Sequence, residues 1–271
     1  MNFAPHQATI MRTVILFAAV LLAAQIEASA ADPADSWKGV KVLPKIGAEV
    51  KVDGEPIDSG GFSIPWIVQD TDDELLLVGG QLKGWVAQSE VVTLDDAPAY
   101  YSQFTRRYRF EPWAYGMRAF ALRENGELLS AIADYQTSLR LKPTKYTYIG
   151  RGLALDSHKD YAKALADFKQ ARRLDPSFAL AYNNAAWLRA TCRQANFRDG
   201  TEAIELATKA CELTDWKDAS YIDTLAAAYA EAGDFDSAIK YQAKALELNP
   251  SEEELKQHAE LFKNHQPYHE K

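Results

Sequence analysis

A repeated spacing of small, aromatic and proline residues constrains the fold of this chain more than any other feature. A small residue is followed by an aromatic residue four positions later, a small residue three positions after that, and a proline five positions further on. The clear copies are Ala131, Tyr135, Ser138 and Pro143, then Ala164, Phe168, Ala171 and Pro176. Reduced copies follow at Ala203, Ala207 and Ala210, and at Ala238, Ala245 and Pro250. The leading alanines are 33, 39 and 35 residues apart, and such a period predicts stacked repeats.

The spacing has a physical cause in helix geometry. Positions i, i+4 and i+7 lie on one face, so the small residues let a neighbouring helix approach while the aromatic ring fills the remaining space. Proline lacks the N–H that would continue the hydrogen-bond ladder, so it ends the helix. Each copy therefore predicts one helix packed closely against another.

Counting back from each proline aligns an earlier helix in every repeat, and here the sequence resembles the tetratricopeptide (TPR) repeat. Its three early core positions are taken by Tyr115, Ala119 and Leu122; Tyr148, Gly152 and Leu155; Tyr182, Ala186 and Arg189; and Ile222, Ala226 and Tyr229. The resemblance implies a mostly α fold, an α-solenoid of about four helix–turn–helix repeats. The predicted bounds are a half-repeat helix at 97–108, repeats at 112–143, 145–176, 179–214 and 219–250, and a capping helix and tail at 251–271.

Several positions depart from the repeat pattern. Gly126 and Gly233 fall at turns where a positive φ ends the first helix, and Lys159 takes that place in repeat two. Residues 192–200 enlarge the turn of repeat three, which resembles a TPR variant of exported proteins from planctomycete-type bacteria. Gln242 replaces the second-helix aromatic residue of the last repeat. Pro267 predicts the end of ordered structure, with residues 268–271 frayed.

Residues 36–97 follow a different, β-type pattern. Short alternating segments occur at 40–43, 50–52, 66–69, 75–78 and 84–86, separated by Gly- and Asp-containing turns. The run from Gly84 to Val92 resembles the last strands of SH3 domains, which implies a small SH3-like β-barrel. Two interpretations stay open: a purely structural barrel, or a divergent domain for cell-wall peptides with Trp66 or Trp85 exposed.

The first 30 residues have the features of a signal peptide. Arg12 precedes an apolar run at 14–24, and Ala28-Ser29-Ala30 forms a cleavage site. The apolar run is shorter than the roughly 20 residues that span a bilayer. We therefore predict export to the periplasm or the exterior, a mature chain that starts at Ala31, and no membrane span in it. Either Met1 or Met11 could be the start.

Composition and motifs point away from nucleic acid and from catalysis. The formal net charge is −8, and no Lys/Arg block stands out. The sequence has no zinc-protease, nucleophile-elbow, Walker or dinucleotide motif. The histidines of the mature chain are His158, His258, His265 and His269, and Pro267 separates the last two. We expect no enzyme activity, no catalytic residues, no cofactor and no metal site.

The TPR resemblance implies which residues would face a partner. The inner-facing positions are Trp113 and Phe120 in repeat one, Tyr146, Ile149 and Leu153 in repeat two, Asn183 and Trp187 in repeat three, and Ser220 and Asp223 in repeat four. A side-chain amide such as that of Asn183 can bond to the backbone of an extended peptide. The alternative is that the apolar members pack against neighbouring helices.

The two cysteines leave two interpretations. Export makes a disulfide between Cys192 and Cys211 chemically possible. In an antiparallel helix pair their positions would be roughly 15 Å apart, too far for a bridge unless the intervening loop folds back. Two buried thiols are the alternative.

Together these features predict an exported, non-enzymatic scaffold that holds a protein or peptide partner on its TPR repeats. The alternatives are a cell-envelope module whose barrel contacts peptidoglycan, and an accessory subunit of an envelope enzyme.

Overall fold

The computed structural model describes residues 37–45, 50–52, 55–57, 66–72, 75–79 and 84–270. The predicted signal peptide at 1–30, with both candidate start residues, lies outside these ranges. The chain divides into two compact units between Asp96 and Ala97.

The first unit contains an antiparallel sheet. Its described strands are β1 Lys41–Pro44, β2 Val50–Val52, β3 Glu55–Ile57, β4 Trp66–Asp72, β5 Leu75–Gly79, β6 Gly84–Ala87 and β7 Val91–Thr93, in the order β3-β2-β6-β5-β4-β1-β7. A 3-10 helix at Gln88–Glu90 precedes β7. The buried side chains include Val42, Val68, Val86 and Val91. Each predicted strand overlaps an observed one, and the SH3-like barrel stays a prediction.

The second unit is helical. Its helices are α1 Ala97–Arg107, α2 Pro112–Glu124, α3 Leu128–Leu141, α4 Lys145–Ser157, α5 Tyr161–Leu174, α6 Ala179–Thr191, α7 Gly200–Leu213, α8 Ala219–Glu231, α9 Phe235–Leu248 and α10 Glu253–Lys263. Helices α2 and α3, α4 and α5, α6 and α7, and α8 and α9 pack as pairs, and α6 also contacts α8. The predicted solenoid of helical repeats is confirmed. No helix within the described ranges is long and apolar enough to cross a bilayer.

The repeated small and aromatic positions form the contacts within the helix pairs. Ala164 and Ala171 are fully buried in α5, and the ring of Phe168 lies between them with 1% of its surface exposed. A Cβ built on Gly152 of α4 would lie only 2.5 Å from Phe168 Cε1. The aromatic ring therefore occupies space that a glycine on the partner helix leaves open.

Two ion pairs that sequence reasoning missed also connect paired helices. Arg118 in α2 donates to both carboxylate oxygens of Asp134 in α3, at 2.6 and 2.8 Å. Arg151 in α4 makes the same two contacts with Asp167 in α5, both at 2.7 Å. Both residues of the second pair lie 33 positions after those of the first, so the pairing follows the repeat period. Such bidentate pairs fix the orientation of one helix on the other.

Lys159 has the left-handed backbone that its place in the repeat pattern predicted. Its φ is 65°, close to the 79° of Gly126 and 83° of Gly233 at the corresponding turns. A Cβ in this conformation costs about 1–2 kcal/mol, partly offset by the greater freedom that glycine loses on folding.

We therefore expect Lys159→Gly to raise the free energy of unfolding by roughly 0.5–1 kcal/mol, as measured by urea titration. Lys159→Ala is the matched control, because it removes the same side chain but keeps the Cβ. An equal gain in both variants would contradict the explanation by backbone strain.

The last repeat replaces its aromatic residue with a buried hydrogen bond. Gln242 in α9 is 1% exposed, and its Nε2 donates to the Leu255 carbonyl in α10 at 2.9 Å. Helix α10 buries Leu255, His258, Ala259 and Phe262 and leaves its charged residues outside. It therefore covers the end of the apolar core, as a capping helix must.

Candidate functional site

Three of the residues predicted to face a partner are exposed on first helices. Trp113 in α2 is 38% exposed, and Tyr146 in α4 is 63% exposed. Ser220 in α8 is also exposed. Each is the second residue of its helix. These side chains are accessible, and their role in binding stays a prediction.

Three other predicted residues are held in the helix packing. Phe120 and Ile149 are buried, and Leu153 packs against the central core cluster. For these three residues the structure agrees with the alternative interpretation, in which the apolar side chains pack against neighbouring helices. The physical reason is that these first helices contact more than their own partner: α2 also contacts α1, and α4 also contacts α3, so more of their apolar side chains are covered than one inner face suggests.

Asn183 in α6 is half-buried, so its exposure is intermediate between that of the exposed residues and that of the buried ones. Among the described residues its side-chain oxygen has no hydrogen-bond partner, although it is shielded from solvent. A buried acceptor left unpaired costs about 1–3 kcal/mol. Because it is shielded, the oxygen itself is not accessible to an incoming group, and only the remaining, half-buried part of Asn183 can contact a partner.

Trp187 in α6 belongs to a cluster of three rings. Its centroid lies 5.9 Å from that of His258 in α10 and 5.7 Å from that of Tyr268, and the His258 and Tyr268 rings are 4.5 Å apart. Asp223 in α8 is buried and orients the histidine, with Oδ1 2.9 Å and Oδ2 3.1 Å from His258 Nδ1. Asp223 is thus committed to a partner within the chain.

The residues after α10 are ordered on the repeats, and the prediction that residues 268–271 fray is wrong for the described positions 268–270. We call residues 266–270 the closing segment. Glu270 N–H donates to the Thr191 carbonyl at 2.8 Å, and Trp187 Nε1–H donates to Glu270 Oε1 at 2.8 Å. Helix α10 ends at Lys263, before Pro267, and the non-helical residues that follow still bind a neighbouring surface.

The enlarged turn of repeat three supports the middle of the closing segment. His269 Nε2 lies 2.7 Å from Glu231 Oε2 at the end of α8. The other oxygen of Glu231 accepts from Arg198 Nε at 2.9 Å, and Arg198 also donates to the Cys192 carbonyl at 2.8 Å. The turn therefore supplies the arginine that holds Glu231 in place.

Cys192 and Cys211 are both buried free thiols, which matches the second of the two interpretations. Burial raises the pKa of the Cys211 thiol to about 12 and raises that of Cys192 above its usual value. The nucleophilic thiolate is thereby disfavoured at both positions. Within the described ranges, no group of three or more His, Cys, Asp or Glu side chains could hold a metal ion.

Asp156, in the last turn of α4, has an unusual environment beside the closing segment. Burial, and then the negative charge of Glu270, raise the pKa of its carboxyl group from 3.8 to about 7. The folded state therefore keeps a proton that the unfolded chain releases between about pH 4 and pH 7. This difference makes the folded state less stable as the pH rises through that range.

We expect Asp156→Asn to weaken this pH dependence and to raise the free energy of unfolding at pH 8 by on the order of 1–3 kcal/mol. Urea unfolding at pH 5 and pH 8 measures the effect. Asp215→Asn alters a carboxylate whose side chain is 80% exposed, so this control should behave like the unmodified protein. If Asp156→Asn kept the full pH dependence, another group would have to cause it.

Comparison with known proteins identifies the repeats. The family model of the tetratricopeptide repeat matches residues 146–178 and 219–252, which overlap the second and fourth predicted repeats. Among curated proteins, none matches the sequence.

Three solved structures have a similar fold. The APC/C hetero-tetramer Cut9–Hcn1 has a TM-score of 0.55 at 21% identity, over 64% of this chain but only 33% of that chain. TTC0263, a thermophilic TPR protein of Thermus thermophilus, has a TM-score of 0.53 at 21% identity, over 63% and 91% of the two chains. YrrB, described as a TPR protein with an unusual peptide-binding site, has a TM-score of 0.50 at 19% identity, over 62% and 83%. At these identities the likeness concerns the fold alone.

Proposed function

We propose that this chain, whose second unit is built from tetratricopeptide repeats, is a non-enzymatic scaffold that holds an extended segment of a protein partner. Stacked helical repeats present a long surface with many side chains, and this geometry suits recognition of a peptide. The peptide-binding site stated for YrrB supports the proposal as an analogy of fold.

One observation carries the proposal. The first helices α6 and α8 already bind an extended stretch of polypeptide, through a main-chain hydrogen bond at Thr191 and side-chain contacts at Trp187 and Glu231. A surface that binds residues 268–270 in this way can bind a segment of another protein by the same kinds of contact. The exposed ring of Tyr146 and the half-buried residue Asn183 offer further contacts on neighbouring first helices.

Affinity capture from an extract of the source organism tests the scaffold function. We expect Tyr146→Ala combined with Asn183→Ala to retain its partners at least about tenfold more weakly than the unmodified chain. Leu129→Ala combined with Leu174→Ala is the matched control, because these residues are exposed on second helices. Equal retention by all three proteins would remove this part of the first-helix surface from the proposal.

We also propose that the first unit is an SH3-like barrel and that the chain is exported. The antiparallel sheet of short strands, together with the resemblance of residues 84–92 to the last strands of SH3 domains, supports the barrel. The signal-peptide features of residues 1–30 support export, and the variant TPR pattern of repeat three supports a planctomycete-type relative. N-terminal sequencing of protein from periplasmic and culture fractions tests export; protein that retains residues 1–30 in the cytoplasm would contradict it.

A cell-envelope role is the alternative, in which the barrel contacts peptidoglycan directly or the chain serves an envelope enzyme as an accessory subunit. Co-sedimentation of the full chain with purified peptidoglycan tests the direct contact. Trp85→Ala should lower the bound fraction if the barrel provides that contact. Absence of the unmodified chain from the pellet would eliminate it.

A further inference from the structure

We propose that Trp187, Thr191, Glu231 and His258 form a binding site for a partner segment with an aromatic residue two positions before a glutamate. The closing segment fills this site as an internal ligand, so the partner binds by displacing it. This inference specifies the partner of the proposed scaffold, and it rests on that proposed function in taking the partner to be a protein.

Besides His269, whose Nε2 lies 2.7 Å from Glu231 Oε2, two side chains of the closing segment contact Trp187. The ring of Tyr268 contacts both Trp187 and His258, which gives an aromatic side chain two neighbouring surfaces. The carboxylate of Glu270 accepts the indole N–H of Trp187, which can only donate. An aromatic residue and an acid at this spacing are therefore the features that the site can select.

The backbone of the occupant is recognised as well. Glu270 N–H donates to the carbonyl of Thr191, the last residue of α6, where a helix leaves its carbonyl groups without partners in the helix. This bond holds any residue except proline, so it contributes affinity without selecting a side chain. The combination of one main-chain bond and two selective contacts is typical of peptide recognition.

The walls of the site are held by contacts that do not involve the closing segment. Asp223 orients the ring of His258, and Thr191 Oγ1–H donates to the Trp187 carbonyl at 2.8 Å. Arg198, from the enlarged turn of repeat three, holds Glu231. The site is therefore preorganised, and the enlarged turn acquires a role in building it.

The closing segment places one unfavourable group in the site, because the carboxylate of Glu270 acts on the carboxyl group of Asp156. Asp156 is half-buried, and after this burial the negative charge of Glu270 is the second cause that raises the pKa of its carboxyl group. Residues 267–270 also remain partly exposed. The short connection to α10 compensates, because it keeps the closing segment at a high effective concentration. A partner segment with better contacts can therefore take its place.

A peptide titration tests the site. The probe is a fluorescein-labelled peptide with the sequence of residues 264–271, followed by anisotropy against the full chain and a vacated variant, Tyr268→Ala with Glu270→Ala. We expect the vacated variant to bind the probe at least tenfold more tightly than the unmodified chain, because the internal competitor is weakened. A probe with alanine in place of its tyrosine and glutamate should bind the vacated variant at least tenfold more weakly.

Two results of the titration would overturn the proposal. One is equal binding of both probes by a vacated variant that melts like the unmodified protein. The other compares the vacated variant with the same variant carrying Trp187→Phe in addition, and consists of equal binding of the intact probe by both. Phenylalanine keeps an aromatic ring at this position but lacks the N–H donor.

Hydrogen exchange on the unmodified chain gives a test that does not depend on folding of a variant. The Glu270 amide is hydrogen-bonded and should exchange slowly. Excess unlabelled probe should accelerate its exchange at least tenfold, whereas the alanine-substituted probe should not. No acceleration by the intact probe would contradict displacement.

Two further outcomes distinguish this site from self-association of the chain and from the scaffold function in general. A concentration-dependent dimer in sedimentation that the probe dissociates would assign the site to the closing segment of a second copy, and would overturn the partner proposal. Capture that depends on Tyr146 and Asn183, together with no binding of the probe, would leave the scaffold function supported while this site fails.

Discussion

Phe168→Ala is expected to lower the free energy of unfolding by about 3–5 kcal/mol, because it leaves a cavity between α4 and α5. The Phe168 ring is 1% exposed and lies against Gly152, which has no side chain to fill the space that the ring would leave. Urea unfolding measures the loss. Phe110→Ala is the matched control, because Phe110 is 72% exposed and should change stability by less than about 0.5 kcal/mol.

A second substitution shows whether the cavity has the inferred location. In the unmodified chain Gly152→Ala forces a Cβ into the Phe168 ring, at a cost of about 1–3 kcal/mol. With Phe168→Ala that obstruction is gone, and alanine is better than glycine in a helix by about 1 kcal/mol. The effect of Gly152→Ala should therefore change from loss to neutrality or gain. The same loss in both backgrounds would mean that these residues do not share the contact.

Asp223→Ala is expected to cost about 3 kcal/mol, the second of the two largest effects. It removes the acceptor for His258, whose ring is 2% exposed and would be left buried without its partner. Asp223→Asn retains an acceptor oxygen and should cost roughly 1 kcal/mol. Urea unfolding compares the two variants directly.

Glu205→Ala provides the control for this prediction, because Glu205 is exposed in the middle of α7. Its effect should stay within about 0.5 kcal/mol. If Asp223→Ala were as mild as this control, the bond to His258 would not be a stabilising contact. Because His258 also forms one side of the Tyr268 contact, Asp223→Ala should additionally speed exchange of the Glu270 amide.

The helical repeats could be predicted because their causes are local. A small, an aromatic and a second small residue, each about one turn further along the helix, determine which face a neighbouring helix can approach. The proline that follows determines where the helix ends. The left-handed turn at Lys159 was predictable for the same reason, since it follows from its distance to the next proline. The Arg118–Asp134 and Arg151–Asp167 pairs recur 33 positions apart in the sequence, but the sequence alone does not indicate that each arginine pairs with that aspartate.

The candidate site was predictable only in part. The resemblance to TPR repeats indicated the first helices, but not which side chains their neighbours cover. Phe120 and Ile149 are buried, and Asp223 is occupied by His258 from the capping helix. Exposure at these positions depends on how successive repeats stack, which is a property of the assembled unit.

The sequence by itself determined that this chain forms stacked pairs of helices and predicted where the enlarged turn falls. Only the tertiary structure decided where the closing segment lies. Its bonds join residues far apart in the sequence, 83 positions between Trp187 and Glu270 and 38 between Glu231 and His269. The physical reason is that helix formation depends on neighbours within one or two turns, whereas a docked segment depends on a surface that exists only once several repeats have stacked.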